Sequence, residues 1–482
     1  MNILWIVLDH VTYRHYKLTK GARPVLSTYE RLVGEGVEFT GCRSVHPLCL
    51  PARACMFTGV YAHKNRKVRN ASAFTDAGYP LFQDYLRDGG HAVGYFGKNH
   101  SGFEDLRERG IEGFYPDGYG NPYRTPEYRA YLDRHGYPNP VYHQEWHLRD
   151  MGYDEGEYDL TEVDNFNNYS AGYLTTAEPV HESDFITEIA GDWIEKTAKS
   201  GKPFAVRVDT WGPHHAYQVP LGYKDTVDPA EIEEYPGFRE VQRDTFPFAA
   251  EFTEKIRSHN EYKTWDQFRR VTARAYEQYA YIDKAIGRLL DRLRELGVYD
   301  DTAVVLTADH GDSLGSHGGM FDKCGDMTEE LMSVPLVIKA PSVKSGATCS
   351  GLVSNMDIMP TVLELGGCAV PDYVDGRSLV PLLRNPTAAV REDLMSQHYG
   401  HFDVHTVQRA VYWKQYKYVA ADDGTELLYN LEEDPFELRN LVQAGSAEIT
   451  DGGQDVLGEM RRRLRANLLK YGDTFETAGL LR

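Results

Sequence analysis

The strongest hydrophobic signal stands at the start of the chain, where residues 3–8 (Ile-Leu-Trp-Ile-Val-Leu) run unbroken into Asp9. A short apolar run ended abruptly by charge predicts a strand covered on both faces. Strand-like runs recur at 92–96, after an amphipathic stretch at 81–87, and at 204–208, after a helical pattern over 184–196 and the turn Ser200-Gly201-Lys202-Pro203. The longest helical pattern covers about 264–296. There Tyr276, Tyr279, Ile282, Ile286, Leu289, Leu290 and Leu293 recur at the three- and four-residue steps of one helix face, and Gly297 stops it. Strands at 303–306 and 335–338 follow. The alternation predicts an α/β fold with a large, mostly parallel sheet flanked by helices.

Two stretches break this pattern. Residues 101–180 are rich in Tyr, Gly, Pro and acidic side chains without sustained periodicity, and read as a loop-rich insertion near the strand ends. Beyond Pro381, residues 406–419 and 426–429 read as strands of an antiparallel sheet, with the turn Asp422-Asp423-Gly424 between them and an amphipathic helix over 456–469. The expected division is a main α/β domain over 1–380 and a smaller C-terminal sheet-plus-helix subdomain over 381–482.

Composition narrows the function class. The 482 residues carry a net charge of -20, which disfavours nucleic acid as a partner. The opening apolar run is too short for a membrane span or an export signal, so the expectation is a cytoplasmic protein with no membrane partner. Six cysteines without a CxxC pair fit a reducing compartment. On that reading the glycosylation-type tripeptides Asn70-Ala71-Ser72 and Asn168-Tyr169-Ser170 are chance matches.

Ligands of open α/β sheets bind beyond the carboxyl ends of strands. Asp9-His10 and Asp309-His310-Gly311 each stand at such an end, and two Asp-His pairs so placed point to a shared metal site. A third element, Cys49-Leu50-Pro51-Ala52-Arg53 followed by Met56-Phe57-Thr58-Gly59, resembles the activation motif of the type I sulfatases of the alkaline phosphatase superfamily. The same family's order is matched by Gly97-Lys98-Asn99-His100, Pro213-His214-His215, Tyr281-Ile282-Asp283, Thr307-Ala308-Asp309-His310-Gly311 and Gly319-Met320-Phe321-Asp322-Lys323. Asp357-Ile358-Met359-Pro360-Thr361 and Tyr429-Asn430-Leu431 extend the likeness over nearly the whole chain.

The resemblance implies an alkaline phosphatase-like fold and hydrolysis of a sulfate monoester. In that family the cysteine, here Cys49, is oxidised to formylglycine by a maturation enzyme, and one hydroxyl of the hydrated aldehyde attacks sulfur. It implies a divalent cation held by Asp9, His10, Asp309, His310 and the residue-49 oxygen, calcium in the first place. Lys98 and Lys323 would offset sulfate charge, and Arg53 would hold the aldehyde hydrate. His214, or its neighbour His215, would protonate the leaving oxygen, and His100 would take the proton of the second hydroxyl so that sulfate departs.

One position departs from the family. Asp, or Gln in some branches, is usual where His10 stands. Either the imidazole is a ligand, which favours manganese or another borderline metal, or it points away and the site has one ligand fewer. For substrate, the expectation is a small sulfated saccharide, with aromatic side chains of 101–180 stacking on sugar rings and His398, His401 and Gln408-Arg409 reading hydroxyls or a uronate. Two other readings stay open: a formylglycine-dependent phosphonate monoester hydrolase or phosphodiesterase, and a binding protein whose Cys49 is never oxidised.

Overall fold

The computed structural model describes residues 1–482 except 12, 19, 71–76, 104, 105, 117–119, 148–155, 164–169, 177, 240–263, 324, 342, 344, 402–404, 444–449, 452, 453 and 477–482. Cys324 and parts of both glycosylation-type tripeptides lie outside the described residues.

Eight strands form the central sheet, in the order Ala347–Cys349, Val37–Phe39, Leu336–Lys339, Thr302–Ala308, Asn2–Leu8, Phe204–Asp209, Ala92–Gly97 and Glu112–Phe114. Leu336–Lys339 runs against its neighbours and the other seven are parallel to one another. The opening run lies at the centre, buried from Ile3 to Leu8. Side chains alternate between the two faces of a strand, and the aromatic residues show which helices cover which face. Trp5, paired with Arg207, meets Phe82 at 4.9 Å between ring centroids. Phe96 on the opposite face meets Trp193 of the Glu182–Lys199 helix at 6.0 Å. The long helix is Trp265–Glu295, opened by Thr264 and Gln267, which satisfy each other's backbone N–H groups in a capping box.

Register explains why four charged groups emerge together. Leu8 pairs with Ala308, Val7 with Asp209, and Asp209 with Gly97. One residue further, Asp9, Asp309 and Lys98 therefore leave the same carboxyl edge, beside Asp209. Gly97 is required there. It has φ 114°, and a Cβ would stand 1.8 Å from the Asp209 carbonyl oxygen.

The 101–180 segment is more ordered than its composition suggests. It contributes the helix Pro126–His135 and three strands of a second sheet, ordered Tyr217–Pro220, Ser170–Leu174, Val141–His147 and Gly156–Asp159. Its pattern is hidden because burial alternates where polarity does not: Tyr142 and the polar Gln144 are both fully buried.

Four antiparallel strands, Asp393–His398, Gln408–Trp413, Tyr416–Ala421 and Glu426–Asn430, form the C-terminal sheet. The Val456–Tyr471 helix buries Val456, Met460, Leu464 and Leu468 against it, four residues apart as one helical stripe requires. That same apolar cluster takes in Cys55 of the Cys49–Thr58 helix. The subdomain therefore braces the helix that opens with Cys49. No described helix is long and apolar enough to cross a membrane.

Buried charge also ties the molecule together. Glu330 accepts from the Tyr235 hydroxyl at 2.5 Å and lies 3.0 Å from His317 Nε2. Burial alone would raise its carboxyl, but His317 and these hydrogen bonds hold it at about 2, below the ordinary 4.5. A depressed carboxyl contributes stability that is present above about pH 4.5 and lost as pH falls toward 2. Glu330→Gln is expected to cost about 3 kcal/mol at neutral pH and to flatten the acid limb of the stability curve. Denaturant unfolding across pH 2–7 checks this; an acid limb like that of the parent chain contradicts it.

Candidate active site

Cys49 is the first residue of the Cys49–Thr58 helix, all ten residues of which are buried. Pro51 sits in the first turn, where a missing N–H costs nothing, and Gly59 ends the helix at φ 71°. The helix start directs its positive end at the Cys49 side chain. Unmodified Sγ here marks the place of the reactive oxygen that the family resemblance implies. It lies 3.0 Å from His310 Nε2 and is hydrogen-bonded by His100. Burial alone would push the thiol up, yet Lys323, Lys98, His310 and the His100 hydrogen bond hold it well below its ordinary value. The pocket thus favours an anion at residue 49.

One donor atom each from Asp9, Cys49, Asp309 and His310 lies within 4.8 Å of the others, and all four residues are fully buried. Burial pushes the Asp9 carboxyl up, opposed by the Lys98 ammonium at 2.5 Å. Asp309 is equally buried, but Arg53, His310 and Lys98 outweigh that and keep it well below the carboxylate range. Two hard carboxylates, an imidazole and an oxygen at residue 49 suit a divalent cation, so the group fits the expected metal. The turn carrying Asp309 is held by Ser44 Oγ and Asn355 Nδ2, which donate to the Asp309 carbonyl at 2.6 and 2.8 Å.

His10 contributes no donor atom to this group. Its φ of 65° lets the backbone N–H donate to Asp309 Oδ1 at 3.1 Å, and the imidazole swings instead toward His214, His215 and Asp322. The ring still stands 4.8 Å from that of His310, between the two groups, and its donor atoms fall in the second.

Arg53 contacts the carboxylates of the site directly. Its Nε donates to Asp309 at 2.8 Å, Nη1 to Asp209 at 2.5 Å and Nη2 to Asp9 at 3.3 Å. With its fork spread over three carboxylates it orients them. Asp209 was not among the sequence candidates. It carries the same signal as Asp9 and Asp309, a carboxylate closing an apolar strand, and is shared by Arg53, Arg207 and the Tyr95 hydroxyl.

On the other side of Cys49, Lys323 Nζ donates to Asp322 Oδ1 at 2.7 Å and lies 3.0 Å from His214 Nε2. His214 Nδ1 is 2.5 Å from the His215 carbonyl. The carbonyl can only accept, so Nδ1 carries the proton and Nε2 accepts from Lys323. Burial and then the Lys323 charge push the His214 imidazole well down. Lys98, which was expected to meet sulfate, is paired with Asp9.

The candidate substrate readers divide. Arg409 is locked to Asp473 at 2.6 and 3.0 Å and to the Tyr399 hydroxyl at 2.7 Å, and is not placed to read a uronate. Gln408 Nε2 donates to the Gly325 carbonyl at 2.8 Å. His398 is buried 5.5 Å from the His46 ring, whereas His401 interacts with Asp322, Lys323 and Cys49. In the insertion, Tyr115, Tyr123, Tyr128, Tyr131 and Tyr142 are buried in the main apolar core and serve packing.

Comparison with known proteins agrees with this geometry. The chain matches the Sulfatase family over residues 1–368 and the family described as N-sulphoglucosamine sulphohydrolase, C-terminal, over 315–466. It is 25% identical to an ulvan-active sulfatase of Formosa agariphila, covering 99% of this chain and 82% of that one. It is likewise 25% identical to the N-acetylglucosamine-6-O-sulfatase of Bacteroides thetaiotaomicron, over 93% of this chain and 83% of the relative. In fold it is similar to the phosphonate monoester hydrolase of Silicibacter pomeroyi, with a TM-score of 0.77, 21% identity and coverage of 98% and 96%. Members of this family generally use formylglycine and a divalent metal. With its family match spanning the whole central sheet and both Asp-His pairs, the chain belongs to the sulfatase family of the alkaline phosphatase superfamily and is a sulfuric ester hydrolase.

Proposed function

We propose that this sulfatase cleaves the sulfate monoester of a small sulfated carbohydrate, with Cys49 matured to formylglycine and a single catalytic cation, calcium or manganese, held by Asp9, Asp309, His310 and the residue-49 oxygen. The observation that carries this reading is the position of Cys49, buried at a helix start among His310, His100, Lys98 and Lys323, where an anionic oxygen is favoured. The named activities of the ulvan-active and N-acetylglucosamine-6-O-sulfatase relatives support a carbohydrate.

The cation and the hydrated aldehyde would supply Lewis-acid activation and the attacking oxygen. The chain's own groups do the rest. Arg53 fixes the Asp9 and Asp309 carboxylates while its charge limits their mutual repulsion. His100 is kept neutral by burial, against its Cys49 hydrogen bond, and can accept the proton of the residue-49 hydroxyl. His214 is neutral as well, so the proton for the leaving oxygen resides on Lys323 Nζ, with His214 aiming it. Asp322 holds that ammonium in place.

A panel of sulfated mono- and disaccharides, an aryl sulfate and a phosphonate monoester tests the reading on matured protein. Sulfate release from a sugar is expected to have the highest kcat/KM. Dominant phosphonate hydrolysis would overturn the substrate assignment while retaining the nucleophile and metal ligands, and activity confined to long polymers would overturn the small-saccharide assignment.

A further inference from the structure

The His10 imidazole is fully buried, and neither of its ring nitrogens has a hydrogen-bond partner among the described residues. An unsatisfied buried polar side chain is costly and calls for a ligand. Nε2 stands 3.6 Å from Oδ1 of Asp322 and 3.6 Å from Oδ1 of Asp312. These separations are too long for hydrogen bonds. They match the spacing of two ligands on one four-coordinate ion, which at bond lengths near 2.1 Å is about 3.4 Å. The ring centroid lies 4.6 Å from that of His214 and 5.5 Å from that of His215. One donor atom each from His10, His214, His215 and Asp322 falls within 4.8 Å of the others. Asp312 is already committed, accepting from Tyr217 and from the Leu314 N–H.

We propose that His10, His214, His215 and Asp322 form a second cation site, for a borderline divalent ion such as Zn2+, whose occupancy silences the leaving-group donor. Three imidazoles and one carboxylate select such an ion over calcium or magnesium, in contrast to the oxygen-rich first site. His214, Asp322 and Lys323 are each slightly exposed, so solvent reaches the edge of the site.

Lys323 shows what binding would change. Its ammonium now bridges Asp322 Oδ1 and His214 Nε2, two of the proposed ligand atoms. An entering ion takes the His214 lone pair and the Asp322 oxygen and displaces the still-protonated ammonium. His214 then no longer aims the Lys323 proton at the leaving oxygen. The inhibitory half of this inference rests on the leaving-group role proposed above; the binding half does not.

Calorimetric titration of metal-stripped protein with Zn2+ tests both halves. The parent chain is expected to bind two equivalents, and His10→Gln and Asp322→Asn one each. With calcium or manganese already bound, Zn2+ is expected to lower ester turnover of the parent by about 10²-fold, the scale of a lost general acid. Saturation at one equivalent, or two equivalents retained by both variants, overturns the site. Cobalt absorption of the parent needs no variant: a second equivalent that adds no four-coordinate d–d band overturns the site too. Two equivalents bound with turnover unchanged overturns the inhibitory half. Two equivalents in a fully matured chain that hydrolyses no ester supports the site and refutes the leaving-group reading.

Discussion

Replacing Cys49 by alanine is expected to lower sulfate-ester turnover by about 10⁴-fold or more, the scale of losing a covalent nucleophile. The fold should survive, because the side chain is small and the Cys49–Thr58 helix is anchored through Cys55 and its other apolar residues. Cys49→Ser should be nearly as inactive when made without maturation, since a serine ester lacks the second hydroxyl whose deprotonation expels sulfate. Steady-state turnover with a thermal melt on the same samples checks the prediction. A folded Cys49→Ala protein within tenfold of the parent would refute the nucleophile assignment.

The second large effect concerns Arg53. Its guanidinium spans Asp9, Asp209 and Asp309, all fully buried. Breaking a buried ion pair by removing one partner costs about 3–5 kcal/mol, because the remaining charges stay desolvated. Arg53→Met should therefore destabilise the chain on that scale. Arg53→Lys should recover part of the stability but not the metal affinity, since one ammonium cannot span three carboxylates. Denaturant unfolding and metal titration together read this. A loss below about 1 kcal/mol with unchanged metal binding would show that Arg53 does not organise the site.

Much of this site is legible in the sequence, because a parallel strand announces where its carboxyl end lies. The apolar runs before Asp9 and Asp309 place both carboxylates on one edge, and register does the rest. Asp209 escapes because Asp209-Thr210 lacks the adjacent histidine that draws attention to the other two, although its strand ends the same way. Asp322 is hidden beside the more conspicuous Lys323. The strands Val37–Phe39, Ala347–Cys349 and Glu112–Phe114 are three residues each, too short to display a period. Asp393–His398 is masked for another reason: Ser396, Gln397 and His398 are polar yet buried, where a hydrophobic pattern expects solvent. The direction of the His10 ring is set by a left-handed backbone and a contact almost three hundred residues away, which no local pattern carries.

The most direct test of the central claim compares preparations matured to different extents. The fraction of chains bearing an aldehyde at position 49 is measured by peptide mass spectrometry, and sulfate release by the same samples is measured in parallel. Turnover is expected to rise in proportion to the aldehyde fraction and to extrapolate to zero when every chain carries cysteine. Turnover that is independent of the aldehyde fraction would contradict the central claim.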